Sequence, residues 1–216
     1  MPYRKSKIKN KKSKLMEKIL ADPKHPREEK TLVLIKPDAV KRGLVGEIIR
    51  RFESRSLKMI GLKMVYGKRI DFDRHYPKSK EWIANLGKRT IEIYKKYNYS
   101  LKNDFGTDDS FKIGKIFRNW LIDFLASGPV VKILIEGVHA IDVVRKIVGD
   151  TQPHFALTGT IRGDFSVDSA GSANKDKRAI HNLIHASGNK EEARNEIMLW
   201  FIPEEIADYK RVEELM

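Results

Sequence analysis

The chain has 216 residues, 41% of them apolar, no cysteine and a formal net charge of +14. This length suits one domain, or one domain with additions, around a sizeable core; the composition excludes a wholly disordered chain, a disulfide framework and thiol chemistry. No apolar run approaches the ~20 residues that cross a bilayer, and the basic N-terminus lacks a secretory signal's apolar core and cleavage site, so a cytoplasmic protein without a membrane span is expected.

Residues 1–30 carry 11 Lys or Arg against four Asp or Glu, half of the whole excess. Such an arm contacts polyanions weakly through counterion release, or serves as a solvated tail. Within it, Lys14 to Leu20 reads as a short helix that stops near Asp22-Pro23. Thr31 to Lys36 is a buried-strand pattern ended by Pro37, which leaves Lys36 at the strand exit. A turn at Arg42 to Gly46 leads into a helix with Val45, Ile48, Ile49 and Phe52 on one face and arginines on the other. Leu57 to Tyr66 alternates as a second strand.

Asp71 to Trp82 starts as a helix and is broken by Pro77. Lys88 to Tyr97 and Ile113 to Ala126 read as two further helices, joined by a polar linker from Ser100 to Ser110. Ser127-Gly128-Pro129 punctuates before a third strand, Val130 to Glu136, and an amphipathic helix, Val138 to Val148. A long loop is expected from Asp150 to Gly163, a short extended piece within Ile161 to Val167, and a Gly/Ser/Asn-rich loop from Ser169 to Asp176.

The stretch Ala179 to Trp200 organises the rest. An apolar run (Ile180, Leu183, Ile184) leads to His185, a small-residue turn follows at Ala186 to Gly188, and a helix begins at Asn189. A strand-turn-helix unit presents an imidazole at a sheet edge. A histidine carries a covalent intermediate when a second group orients its ring, and Glu196 and Ser187 are the candidates for that role. His181 and His185 stand four apart, a metal-ligand spacing on a helix. With no cysteine and no third ligand nearby, no metal site is assigned. Strands and helices alternate, which fits either a split βαββαβ sheet or a doubly wound parallel sheet. Neither common glycine-rich phosphate loop occurs, which argues against a P-loop enzyme.

Four segments, in order, decide between these options: Leu34-Ile35-Lys36-Pro37-Asp38 with Arg42 to Gly46; Ser127-Gly128-Pro129-Val130-Val131; Gly159-Thr160-Ile161-Arg162-Gly163-Asp164-Phe165; and Asn182 to Ser187 running into Glu196 to Phe201. Together they resemble the nucleoside diphosphate kinase family. The resemblance implies a ferredoxin-like α+β fold with a four-stranded antiparallel sheet. It also implies ping-pong transfer of the γ-phosphoryl group of ATP to a nucleoside diphosphate through a phosphohistidine. On that resemblance His185 is the phosphorylated residue, Glu196 orients it, Ser187 supports Glu196, and Lys36 and Tyr76 lie beside the reacting centre. Arg145 and Thr151 hold the β-phosphate, Arg162 the γ-phosphate, and Asn182 the sugar hydroxyl. The expected cofactor is Mg²⁺ carried in on the nucleotide, with no dedicated protein cage. The expected assembly is a homo-oligomer, a hexamer or a tetramer.

The chain departs from the family in three places. Residues 1–30 extend the domain 31–216; residues 77–127 contain a helical insertion; residues 166–178 form a loop insertion. The family's base-stacking phenylalanine falls just after Tyr76, where Trp82 is the nearest aromatic and is the expected nucleotide-binding residue that stacks on the base. The competing function is a non-catalytic nucleic-acid-binding module that uses the basic arm, but TLVLIK and VVKILIE offer no aromatic for base stacking.

Overall fold

Four strands, β1 (Glu29–Ile35), β2 (Lys58–Val65), β3 (Val130–Gly137) and β4 (Ile184–Ala186), form one antiparallel sheet in the order β2-β3-β1-β4. The computed structural model describes residues 14–21, 23 and 25–212. β1 and β2 run in the same direction with β3 between them, so the connection is a split crossover and the sheet is ferredoxin-like, not doubly wound.

The central strands read as continuous apolar runs because both sheet faces are covered. Val33, Ile35, Ile133 and Ile135 point to one face, where α3 (Val45–Glu53) and α8 (Ala140–Val148) bury Ile48, Phe52, Val144 and Val148. Leu32, Leu34 and Leu134 point to the other. That side is closed by α4 (Arg69–His75), α7 (Ser110–Ala126) and α11 (Lys190–Trp200) through Phe72, Ile122, Leu125, Ile197 and Trp200. A short helix at residues 14–19, α1, adds Met16 and, just beyond it, Leu20 to the same cluster. The N-terminal extension is therefore partly core, and β1 begins at Glu29.

The remaining helices are α2 (Pro37–Lys41), α5 (Lys80–Lys96), α6 (Leu101–Phe105), α9 (Ile161–Phe165) and α10 (Ala170–Lys175). Side-chain caps set their starts: Ser79 for α5, Ser100 for α6, Asp109 for α7, Thr160 for α9 and Ser169 for α10 each accept a backbone N–H in the first turn. These caps explain three corrections. The extended piece expected within 161–167 is α9, the loop expected over 169–176 contains α10, and the linker 100–110 contains α6. Helices of five or six residues are too short to print a 3.6-residue apolar period, so glycine and serine content misleads there. α5 also starts well before Lys88, because Pro77 ends α4 and Ser79 at once opens the next helix.

α5 and α7 pack antiparallel at very close range. A Cβ on Gly87 would lie 1.8 Å from the Ser110 carbonyl oxygen, and one on Gly114 would lie 1.8 Å from that of Ile83. Glycine at both positions is what allows the two backbones to touch. This hairpin leans over the C-terminal end of β1, beside β4, and forms one wall of the cavity described next.

Candidate active site

β4 is only three residues long, because the chain kinks just before it. Leu183 adopts φ 69°, and Ile184 N donates to the Asn182 carbonyl at 2.8 Å, a γ-turn. The turn is held from both sides: Leu183 N donates to Asp38 Oδ2 at 3.0 Å, and Lys36 N donates to the Leu183 carbonyl at 2.8 Å. The apolar run from Ile180 thus leaves the sheet at Asn182. Only Ile184, His185 and Ala186 pair with β1, and His185 sits opposite Leu34. That register turns His185 to the α4–α11 face.

There its Nε2 lies 2.8 Å from Glu196 Oε1, and the Ser187 hydroxyl donates to Glu196 Oε2 at 2.6 Å. Glu196 is 5% exposed and Ser187 fully buried. Burial pushes the Glu196 carboxyl up, opposed by His75 and by the Ser187 hydrogen bond. With Nε2–H donated to Glu196, the lone pair of His185 is on Nδ1. Burial and then the Lys36 cation hold the His185 imidazole neutral, far below the ordinary histidine range. A neutral ring with a fixed tautomer is the form that acts as a nucleophile.

His185 opens on a cavity of about 410 Å³. Its lining includes Lys36, Tyr76, Trp82, Arg145, Thr151, Arg162 and Asn182, so every sequence-expected site residue with a side chain on the cavity is brought together there. Ser187 lies behind the wall, against Glu196. Lys36 Nζ donates to Asn182 Oδ1 at 2.6 Å, and Asn182 Nδ2 donates to the Thr151 carbonyl at 2.8 Å. Burial first and Arg162 second lower the Lys36 ammonium to about 7. Arg162 is buried and donates to the carbonyls of Asn182, Gly149 and Ile184, which leaves one hydrogen on each terminal nitrogen. Arg145 stands exposed on α8 at the rim. The cavity therefore concentrates positive charge around a nucleophilic nitrogen, an arrangement suited to a polyphosphate.

Trp82 leans on Tyr76, ring centroids 6.2 Å apart, at the His185 end. Burial drives the Tyr76 hydroxyl well above its ordinary range, so it stays protonated. Sequence reasoning missed His75, Asp38 and Arg89. The His75 ring meets the His185 ring edge-on at 4.6 Å and accepts a hydrogen bond from Trp200 Nε1 at 3.3 Å. Its burial, with His185 next, lowers it to about 3, so it too is neutral. Only its place beside Tyr76 at the end of a helix hinted at this. The His181–His185 pair is not brought together: His181 stacks on Phe124 at 4.9 Å. Among the described residues, the group with metal-binding spacing is His75, His185 and Glu196. Its two imidazoles and their existing hydrogen bonds do not suit Mg²⁺, an oxygen-seeking ion.

The sequence profile described as nucleoside diphosphate kinase matches residues 29–85 and 109–206. Residues 86–108 lie outside that match, whereas α7 lies inside it. A nucleoside diphosphate kinase of Pyrobaculum aerophilum is 44% identical over 180 residues, covering 83% of this chain and 98% of that protein. One from Pyrococcus furiosus is 41% identical, covering 84% and 88%. Among solved structures, an NDP kinase from Pyrobaculum aerophilum superposes with TM-score 0.82 at 43% identity, covering 84% of this chain and all of that one. A Borrelia burgdorferi nucleoside-diphosphate kinase with bound vanadate and ADP, described as a transition-state mimic, superposes with TM-score 0.69 at 36% identity, covering 87% and 95%.

Proposed function

The chain belongs to the nucleoside diphosphate kinase family, and from that membership we propose how its own residues carry the reaction. It transfers the γ-phosphoryl group of a nucleoside triphosphate to a nucleoside diphosphate in two half-reactions. In the first, His185 Nδ1 attacks the γ-phosphorus, the bridging P–O bond to the β-phosphate breaks, and the diphosphate leaves with both electrons. In the second, a different diphosphate attacks the phosphohistidine and restores the free imidazole.

Glu196 accepts the Nε2–H and stabilises the charge that the ring gains as Nδ1 bonds to phosphorus. Ser187 holds Glu196 in that position. Arg162 and Lys36 neutralise the transferring phosphoryl group, Arg145 and Thr151 hold the β-phosphate, and Asn182 binds the sugar hydroxyl. Tyr76 lies beside the reacting centre, and Trp82, packed on Tyr76 and lining the same cavity, is the candidate to stack on the base. Most of the catalysis is positioning and charge neutralisation. Asp150 and Glu192, both on the cavity lining, are carboxylates that could face a nucleotide-borne Mg²⁺. Bound with the nucleotide, that ion would help neutralise the charge of the phosphates.

The observation that carries the reading is the hydrogen-bonded series Ser187–Glu196–His185 opening on a cavity lined by Lys36, Arg145 and Arg162. Intact mass after incubation with Mg-ATP should show one added phosphoryl group, lost on addition of GDP, with His185→Ala showing neither. Absence of labelling in folded, nucleotide-binding protein would refute the assignment. The nucleic-acid-binding alternative is not favoured, because helices cover both sheet faces. A homo-oligomer is supported by Leu62 and Met64, exposed on the edge strand β2 at 51% and 53%. Sedimentation velocity would give its subunit count.

A further inference from the structure

Lys36 lines the cavity of about 410 Å³ at 5% exposure, in surroundings unusual for a buried ammonium. Buried cations are normally paired with a carboxylate. Two other buried lysines follow that rule: Lys132 Nζ lies 2.6 Å from Glu205 Oε2, and Lys58 Nζ lies 3.5 Å from Glu136 Oε1. Lys36 does not. Among the described residues its Nζ has no carboxylate within ion-pair distance, and its hydrogen-bond acceptor is the neutral amide oxygen of Asn182, at 2.6 Å. The Phe124 ring lies 5.8 Å away. The charge that acts on it most strongly is a cation, Arg162, ahead of Asp38. Such company favours the free amine, and with the ammonium lowered to about 7, roughly half of the molecules hold one at neutral pH. A lysine desolvated beside another cation is an activated nucleophile. Surface lysines, at about 10.4, stay protonated.

We propose that Lys36 is a carbamylation site: in the nucleotide-free protein its Nζ takes up CO2 as a carbamate, and that anion competes with nucleotide for the cavity. The Nζ lone pair bonds to the carbon of CO2, one C–O π pair moves onto oxygen, and the nitrogen gives a proton to water. The step expels no leaving group and needs no other reactant. CO2 is small and neutral, so it enters the cavity without the desolvation cost of an ion. The carbamate nitrogen keeps one hydrogen, enough to go on donating to Asn182 Oδ1. Its new carboxylate suits Arg162, whose terminal nitrogens each retain one hydrogen beyond the carbonyls they already serve. Arg145 adds a second cation on the same lining. The modification removes a cation from the cavity and installs an anion there, so carbamate and polyphosphate exclude one another. CO2 is then a reversible inhibitor that acts on the resting protein. The covalent step stands on the lysine and its neighbours; the competition alone rests on the nucleotide-binding reading above.

The test is chemical trapping. The nucleotide-free protein is equilibrated with isotopically labelled CO2 and bicarbonate at constant pH. Triethyloxonium ion then ethylates any carbamate, and peptide mass spectrometry locates it. We expect labelled ethyl carbamate on Lys36, abolished by saturating Mg-ADP. In equilibrium dialysis at constant pH and ionic strength, modification of half the molecules should roughly double the apparent Kd for ADP. Lys36→Arg stays protonated and should show no such change. Absence of label on Lys36 overturns the proposal, as does label that bound ADP leaves undiminished. An equal loss of affinity in Lys36→Arg would assign the effect to bicarbonate held as a free anion and would overturn it too. The trapping arm uses the wild-type protein alone, so a variant that folds poorly does not shelter the proposal. Failure of the phosphohistidine assay with ADP-protected label in place would sink the catalytic reading and leave the carbamate standing.

Discussion

Lys36 is a site residue whose charge depends strongly on its surroundings. Lowered to about 7 from 10.5, it is cationic below neutrality in the free enzyme and neutral above. Its attraction for the triphosphate is therefore present at low pH and lost as pH rises. kcat/KM for ATP should decline as pH passes about 7, and Lys36→Arg should remove that inflection even if it lowers the absolute rate. Stability has the opposite slope. Between about 7 and 10.5 the unfolded chain holds a proton on Lys36 that the folded chain has released, so this group makes the fold more stable as pH rises across that window. For Glu196, replacement by Gln keeps the shape and removes the charge facing His185 Nε2. A charge-assisted hydrogen bond contributes ~1.5–3 kcal/mol, so rapid-quench phosphohistidine formation in Glu196→Gln should slow by roughly 10- to 100-fold.

At the scale of elements, two contacts decide whether the site has its shape. The first is the γ-turn at Leu183, which carries the chain from the cavity wall into β4 and is held by the Asp38 carboxylate. Asp38→Ala leaves the Leu183 N–H without its acceptor, and urea unfolding should show a loss of about 1–3 kcal/mol together with a lower kcat. The second is the glycine contact between α5 and α7. Gly114→Ala forces a Cβ into the Ile83 carbonyl, so the helices must separate. An overpacking cost of ~1–3 kcal/mol corresponds to a Tm lower by roughly 3–10 °C. Because this hairpin contributes Trp82, Arg89 and Leu121 to the cavity at His185, nucleotide affinity should fall as well, which differential scanning calorimetry with and without ADP would separate.

At the scale of the molecule, the N-terminal extension has two parts. Residues 1–13, outside the described residues, hold six Lys or Arg and no Asp or Glu. Residues 14–20 place Met16 and Leu20 in the core, and Arg194 donates to the Leu20 carbonyl at 3.0 Å. Removing residues 1–13 should leave stability and phosphotransfer unchanged while salt-sensitive binding to heparin weakens. Removing residues 1–21 should cost ~2–4 kcal/mol in urea unfolding, since it uncovers two apolar side chains' worth of core. Heparin binding unchanged by the first truncation would refute the polyanion role of the arm.

The strand cores, the amphipathic α3 and α8, and the motif that carries His185 were all legible in the chain. Each prints a long apolar period or a specific run of residues. Glu196 and Ser187 were legible for the same reason, since both lie within the unit that starts at the histidine. The parts that sequence left open share a different physics. α6, α9 and α10 are too short for a period and are set by single capping side chains. The kink that ends β4 depends on Asp38, distant in the chain. The lowered Lys36 depends on burial and on Arg162. Local pattern left two sheet arrangements open, and it was the ordered set of motif segments, through the family they resemble, that pointed to the fold class and to the candidate nucleophile. Tertiary structure alone decided which charges lie together and how far they are from water, because those depend on distances between segments that sequence separation does not encode.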